Sequence, residues 1–237
     1  MIKSLQGSVA LLSGANRGIG QHIALELANA GWCVSLGMRQ PVMPDWAAGL
    51  EERVHLMAYD AADAAAEQRW VDAALARFGR IDALVANAGI MIPKSVIEAD
   101  DKDIDAMMDV NVKAPRRLAK AAWHALCATG RGRVIILASL SGKRVKSAGA
   151  GSYSLSKFAA VALAHAIRQA GFDQGIRATA VCPGFVATAM AAALTDRPAD
   201  HLTQPEDLAH IVSMLLSLPN EASVAEFAVN CQLEEFF

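Results

Sequence analysis

Tyr153 and Lys157 form the pair in this 237-residue chain best suited to acid–base chemistry. Four residues apart on a helix, they share one face, which sets an ammonium beside a phenol. A free phenol titrates near pH ~10, and bringing it to neutrality takes about 2–3 units, a preference for phenolate on the order of 3–4 kcal/mol. A neighbouring cation has the sign to supply it. Taken alone the spacing is weak: with eight Lys in the chain, a Tyr has a Lys at the fourth position by chance roughly 3% of the time. The surrounding residues must decide between an active pair and a solvated helical one.

Ser139 lies fourteen residues before Tyr153, directly after an apolar run that reads as a strand. Its hydroxyl could hydrogen-bond a developing oxyanion, the usual way a neutral donor lowers such a barrier; the other reading is a serine that caps a turn. Ile104, Met107, Met108 and Asn111 fall at i, i+3, i+4 and i+7, which sets an amide on the buried stripe of a helix. A buried polar group needs partners. Pro115 has no N–H, so the Asn111 carbonyl loses its helical donor and a local kink is expected. A free carbonyl beside a buried amide is a place for water; the alternative is an Asn that packs structurally at a kink.

Upstream, Ser13-Gly14-Ala15-Asn16-Arg17-Gly18-Ile19-Gly20 leads from an apolar run into a helical pattern. Glycines there let the backbone turn tightly and approach a pyrophosphate, which the free N–H groups of a helix N-terminus stabilise. Gly14, Asn16, Arg17, Gly18, Ile19 and Gly20 are therefore candidate cofactor contacts. The second strand ends Leu36-Gly37-Met38-Arg39. An acid near this position binds a ribose 2′-hydroxyl, whereas an Arg accommodates a 2′-phosphate. The acid is missing and Arg39 is present, with Arg17 as a second cation, so NADP(H) is expected over NAD; the alternative is two ordinary surface arginines. Asp60 closes the third strand, where it could cap the next helix or contact the adenine. Asn87-Ala88-Gly89 closes the fourth and is expected beside the cofactor, tying adjacent strands. After the sixth strand, Pro183-Gly184-Phe185-Val186-Ala187-Thr188 supplies a rigid turn and a hydroxyl.

These residues need a scaffold that brings strand ends together. Short apolar runs at 8–12, 33–37, 54–59, 83–86, 133–138, 177–181 and 225–229 alternate with helical patterns, the signature of βαβ units and a parallel sheet buried on both faces. Ile23, Leu27 and Ala30 mark one helix; Val71, Ala74, Leu75 and Phe78 fit a second, and Leu208, Ile211, Val212 and Leu215 a third. Pro205, Glu206 and Asp207 give that last helix its start. The expected fold is α/β, a single-domain, Rossmann-type doubly wound sheet of seven mainly parallel strands with helices on both faces, spanning residues 1–237. Ligands in such sheets sit beyond the carboxyl ends of the strands at the switch point.

Composition narrows the partners. A net charge of −2 with scattered basic residues argues against a nucleic-acid or membrane-surface footprint. Cys33, Cys127, Cys182 and Cys231 lack the spacing of a zinc site and are expected to be buried in a reducing compartment. Residues 1–5 lack the apolar core of a leader, and no run approaches the ~18 apolar residues of a membrane span. A cytoplasmic protein is expected.

In order and spacing, the Gly14/Gly18/Gly20 turn, Asp60, Asn87-Ala88-Gly89, Asn111, Ser139, Tyr153-x-x-x-Lys157 and Pro183-Gly184 with Thr188 resemble the short-chain dehydrogenase/reductase family over essentially the whole chain. The resemblance implies a nicotinamide cofactor and a catalytic set of Asn111, Ser139, Tyr153 and Lys157. In it Tyr153 exchanges the proton with a carbonyl or alcohol oxygen that Ser139 holds. Lys157 binds the nicotinamide ribose and biases Tyr153 toward phenolate, and the Asn111 carbonyl holds a relay water. Pro183, Gly184, Val186 and Thr188 would line the cofactor, Thr188 at the carboxamide. The activity implied is that of a ketone or aldehyde reductase, in a homodimer or homotetramer. An NAD-dependent alcohol dehydrogenase of the same family and a non-catalytic NADP(H)-binding sensor or scaffold are the competing readings. An ending at Val229-Asn230-Cys231-Gln232 departs from the family and puts the C-terminal subunit contact in doubt.

For the substrate, Met91, Ile92, Leu140, Phe185 and Met190 are candidate pocket walls. Lys143, Arg144 and Lys146 lie between Ser139 and Tyr153. They would suit a mostly apolar substrate with an anionic group, or else belong to a solvated loop.

Overall fold

The structure is a computed structural model that describes residues 7–233. The expectations for residues 1–5 and for the tail at 234–237 lie outside the described residues. Seven strands form one all-parallel sheet: β1 (Val9–Ser13), β2 (Cys33–Met38), β3 (Val54–Ala58), β4 (Ala83–Ala86), β5 (Arg133–Leu137), β6 (Arg177–Pro183) and β7 (Glu226–Val229), in the order β3-β2-β1-β4-β5-β6-β7. The order reverses between β1 and β4, which opens the crevice expected of this topology. All seven expected strands are present, β4 with the bounds expected and the others with a bound shifted by one or two residues, as hydrogen-bond assignment commonly shifts them.

Period-two alternation sends neighbouring side chains to opposite faces, and both faces are buried. Leu11, Leu84, Val134 and Ile136 pack with the helices α2 (Ala66–Phe78), α4 (Ala114–Ala121) and α6 (Gly151–Gly171). On the other face Ala10, Leu12, Val85 and Ile135 pack with α1 (Gly18–Asn29) and α8 (Pro205–Ser217). Shorter helices α3 (Asp101–Met108), α5 (Trp123–Ala128) and α7 (Ala189–Ala192) complete the α-helices among the described residues. Pro205 begins α8 as expected, and Gln204 and Asp207 close a reciprocal cap around it.

Three readings need correction. Ala30 is exposed, because α1 stops at Asn29; its buried stripe is Ile23, Ala24, Leu27 and Ala28. Of the four cysteines only Cys182 is buried, and all four are free thiols. The kink expected near Asn111 is a π-helical turn at Asp109–Lys113 between α3 and α4. Without the Pro115 N–H the i to i+4 ladder cannot continue, and one wider turn absorbs the break.

Candidate active site

A cavity of about 900 Å³ runs along the carboxyl ends of all seven strands. Its walls come from the segment after each: Gly14 to Ile19 after β1, Arg39 after β2, Asp60 after β3, Asn87 to Met91 after β4, Ser139 to Ser141 after β5, Gly184 to Val186 after β6, and Asn230 and Gln232 after β7.

The Gly turn is shaped for close approach. Gly14 and Gly18 have φ of 68° and 55°, a region that favours glycine. Gly20 lies beneath the turn and does not line the cavity: a Cβ there would sit 2.2 Å from the Gly14 carbonyl oxygen and 2.5 Å from Asn87 Nδ2. Asn87 Nδ2 donates to the carbonyls of Ser13 and Gly14 at 3.1 and 3.0 Å. In return the Ser13 hydroxyl accepts from the N–H groups of Asn87 and Ala88 at 3.1 and 3.0 Å. Sequence reading missed Ser13, whose signal was a hydroxyl at the last position of a buried strand. The first turn of α1 has no side-chain cap, so its N–H groups face the cavity end without a protein partner of that kind. Arg17 and Arg39 both line the cavity and are exposed, without an acidic partner among the described residues. Asp60 lines it too, and its carboxylate accepts the Ala62 N–H at 3.0 Å instead of capping α2.

Behind Asp60 lies a network that sequence reading did not find. Tyr59 donates to Glu67 at 3.2 Å, and Glu67, 2% exposed, pairs with Arg117 at 3.0 Å. Arg117 also donates to the Ala61 carbonyl at 2.7 Å, which ties the wall at Asp60 and Ala61 to the helix that follows Asn111. No short motif marks it, because its members are distant in sequence.

Ser139, Tyr153 and Lys157 all line this cavity. Tyr153 and Lys157 are 8% and 5% exposed, with the ammonium 5.6 Å from the ring centroid and donating to the Leu137 carbonyl at 2.9 Å. Asn111 is buried and does not line the cavity. Its Oδ1 accepts from the Ile90 N–H, and its Nδ2 donates to the Ile90 carbonyl and the Ser156 hydroxyl, each at 2.9 Å. Ser156 in turn donates to the Tyr153 carbonyl at 2.8 Å. The Asn111 side chain thus clamps the segment after β4 to the helix of Tyr153.

The expected titration of Tyr153 needs correction. Burial pushes its phenol up to about 12, against a smaller opposing pull from its hydrogen bond with Ser139. Burial also pushes Lys157 down to about 8. Both charged forms lose water, so the chain by itself holds a neutral phenol at neutral pH.

Gly14, Asn16, Arg17, Gly18, Ile19, Arg39, Asp60, Asn87, Ala88, Gly89, Pro183, Gly184, Val186 and Thr188 all line the cavity, as do Met91, Leu140, Phe185, Met190, Arg144 and Lys146. Two expected substrate contacts do not. Ile92 falls between the lining residues Met91 and Pro93 but is not itself part of the wall, at a tight turn in which the Lys94 N–H donates to the Ile92 carbonyl at 2.9 Å. Lys143 is drawn to Glu226 of β7, which also holds His165 at 2.7 Å. Removing the Ser139 hydroxyl in Ser139→Ala should slow any reaction that builds negative charge on an oxygen in this cavity by about 10²-fold in kcat with little change in KM, as loss of one oxyanion donor does; steady-state kinetics check it.

No helix among the described residues is long and apolar enough to cross a membrane. Residues 8–199 match the family profile described as short chain dehydrogenase. Agropine synthesis reductase of Rhizobium rhizogenes is 38% identical over 231 residues, 97% of this chain and 54% of the relative, so the chain spans about half the length of that protein. Among solved structures, an alcohol dehydrogenase from Thermococcus sibiricus complexed with 5-hydroxy-NADP superposes with a TM-score of 0.84 at 29% identity, over 97% of this chain and 99% of that one. A short chain dehydrogenase from Burkholderia cenocepacia in complex with NADP gives 0.85 at 30% identity, over 97% and 98%.

Proposed function

The chain belongs to the short-chain dehydrogenase family of oxidoreductases, and from that premise we propose that it reduces a ketone or aldehyde with NADPH. The observation that carries this reading is the convergence of Ser139, Tyr153 and Lys157 on the cavity that the Gly turn shares with Arg17 and Arg39. The residues present fit a dinucleotide. A Cβ at Gly14 or Gly20 would crowd the turn, α1 offers an uncapped N-terminus, and Arg17 and Arg39 line the cavity after β1 and β2, two cations that would suit a 2′-phosphate. Gly14 to Ile19, Asn87 to Gly89 and Thr188 would hold the cofactor, which supplies the hydride when bound. NADP in the two solved relatives supports the same preference.

The chain's own contribution is the proton. Tyr153, kept neutral by burial, donates it to the substrate carbonyl oxygen, and Ser139 donates a hydrogen bond to the same oxygen. A donor that stays protonated through neutral pH favours reduction over oxidation. Lys157 holds positive charge beside the ring, and a water at the Asn111 carbonyl, in the π-helical turn before Pro115, would resupply the proton. The Asn111 side chain is a positioning group that fixes Ile90 and the Tyr153 helix. Leu155 and Phe158, exposed on α6, suit a second copy of the chain in a homodimer or homotetramer.

Arg39→Asp should lower kcat/KM with NADPH by at least about tenfold, the value of one charge-assisted hydrogen bond, and leave NADH unchanged or improved. Oxidation of each cofactor over a panel of aldehydes, ketones and diketones measures it. An unchanged preference would refute the NADP(H) assignment, and cofactor binding with no turnover on the panel would favour a non-catalytic sensor.

A further inference from the structure

Glu226 is a half-buried carboxylate on the edge strand β7, on the side of the sheet that faces α6. Its register partner on β6 is Ala180, and Ala180 and Cys182 pack there into the core. A carboxylate in such a place loses water and is costly unless it is paired. Glu226 is paired twice, once by each oxygen. Oε2 accepts from Lys143, in the segment between β5 and α6. Oε1 accepts from His165 Nε2 of α6 at 2.7 Å, because an ionised carboxylate has no proton to give. Lys143 first and His165 second hold the carboxyl below its ordinary value, which keeps it ionised.

The two partners belong to the two elements that carry the chemistry. Lys143 stands four residues after Ser139, and His165 lies on the helix of Tyr153 and Lys157. Between Ser139 and Lys143 the chain closes a tight turn. The Ser139 hydroxyl accepts from the Ser141 N–H at 3.1 Å, the Ser139 carbonyl from the Gly142 N–H at 2.9 Å, and the Leu140 carbonyl from the Lys143 N–H at 2.9 Å. A turn so closed passes a displacement of Lys143 on to Ser139. It rests on α6, since a Cβ at Gly142 would lie 2.5 Å from the Lys157 carbonyl oxygen. Contact of that kind sets how near the turn comes to the helix, but dispersion has no direction and does not fix the turn along it. Glu226 supplies that fix, because its backbone is held in the ladder with β6 and its carboxylate is oriented by His165.

We propose that Glu226 is a positioning residue for carbonyl reduction: through Lys143 it holds the turn of Ser139 against α6, and so keeps the Ser139 hydroxyl beside Tyr153. The proposal rests on the reductase reading and adds the residue that holds its oxyanion donor in place. Glu226 does not line the cavity and acts only through its neighbours.

The test uses the full chain with NADPH, and 4-nitrobenzaldehyde, acetophenone and 2,3-butanedione as probes. Glu226→Ala and Lys143→Met are compared with wild type, alone and each combined with Ser139→Ala. Each single variant should lower kcat about tenfold, within the range that misplacing a catalytic group costs, and leave the KM for NADPH unchanged. In the Ser139→Ala background the same changes should alter kcat by less than about twofold, because the group they position is gone. Lys143→Met leaves the pair of Glu226 with His165, so it reads the clamp even if Glu226→Ala fails to fold. Equal losses with and without the Ser139 hydroxyl would mean that Glu226 only stabilises the sheet edge. Wild-type kcat in both single variants would mean that the clamp does not act on the reaction, and either result overturns the proposal. A second arm needs no turnover: hydrogen exchange of the peptide 139–150. It should quicken about tenfold or more in both single variants, while residues 9–29 exchange as in wild type. That result in a chain that turns over none of the probes supports the clamp and counts against the reductase reading alone. Unchanged exchange at 139–150 in both variants overturns the clamp whatever the turnover.

Discussion

Tyr153→Phe should lower kcat for carbonyl reduction about 10³–10⁴-fold, the full value of a general acid, and leave NADPH binding and the fold intact. The phenol is 8% exposed and lies in the cavity with Ser139 and Lys157. Phe keeps the ring, so packing in the first turn of α6 is conserved. What disappears is the proton and the hydrogen bond with Ser139. Neither neighbour can replace it: Ser139 is a weak acid with no base behind it, and Lys157 donates to the Leu137 carbonyl. Single-turnover rates with saturating NADPH, beside a fluorescence titration of the cofactor, separate chemistry from binding. Activity within tenfold of wild type would mean that another group supplies the proton.

Lys157→Met should produce two effects of opposite sense. Turnover falls by about 10²-fold or more, because the positive charge that stabilises the phenolate Tyr153 becomes is lost. Stability changes in the other direction. Burial pushes Lys157 down to about 8 from its ordinary value of 10.5. Between those values the folded chain binds fewer protons than the unfolded one, so wild-type stability rises with pH through that window. Below about pH 8 the buried ammonium carries its whole cost, on the order of 3 kcal/mol. Met fills a similar unbranched volume without the charge, but leaves the Leu137 carbonyl without its donor, at about 1–3 kcal/mol. Urea unfolding at several pH values should show the rise between about pH 8 and pH 10 in wild type and its absence in Lys157→Met. Parallel curves would mean that Lys157 is not held as a strained cation.

Strand positions were legible because both faces of the sheet are buried, so each strand reads as an apolar run bounded by polar turns. The Gly turn was legible because phosphate approach and positive φ at Gly14 and Gly18 both demand glycine. Direction of titration was not: the Tyr153 and Lys157 spacing reports proximity, while the pKa depends on how much water the fold removes from both groups. Nor could sequence separate Lys143 from Arg144. The two are adjacent, and only the placement of Glu226 on β7 beside the Ser139 loop decides which one faces the cavity. Asn111 was found on its helical stripe, but its partners Ile90 and Ser156 come from other elements. The same holds for Tyr59, Glu67 and Arg117. In each case the missing information is which distant segments the parallel sheet brings to one edge.

The central claim is that Tyr153 stands as a neutral phenol, ready to give its proton to a carbonyl. The chain has two tyrosines, so in Tyr59→Phe the ultraviolet absorbance of tyrosinate reports Tyr153 alone. Titrated upward from neutral pH in the folded enzyme, it should show no ionisation at neutrality and none up to about pH 10, the ordinary value of a free phenol. A midpoint near neutral pH would contradict the account and return Tyr153 to a phenolate held by Lys157.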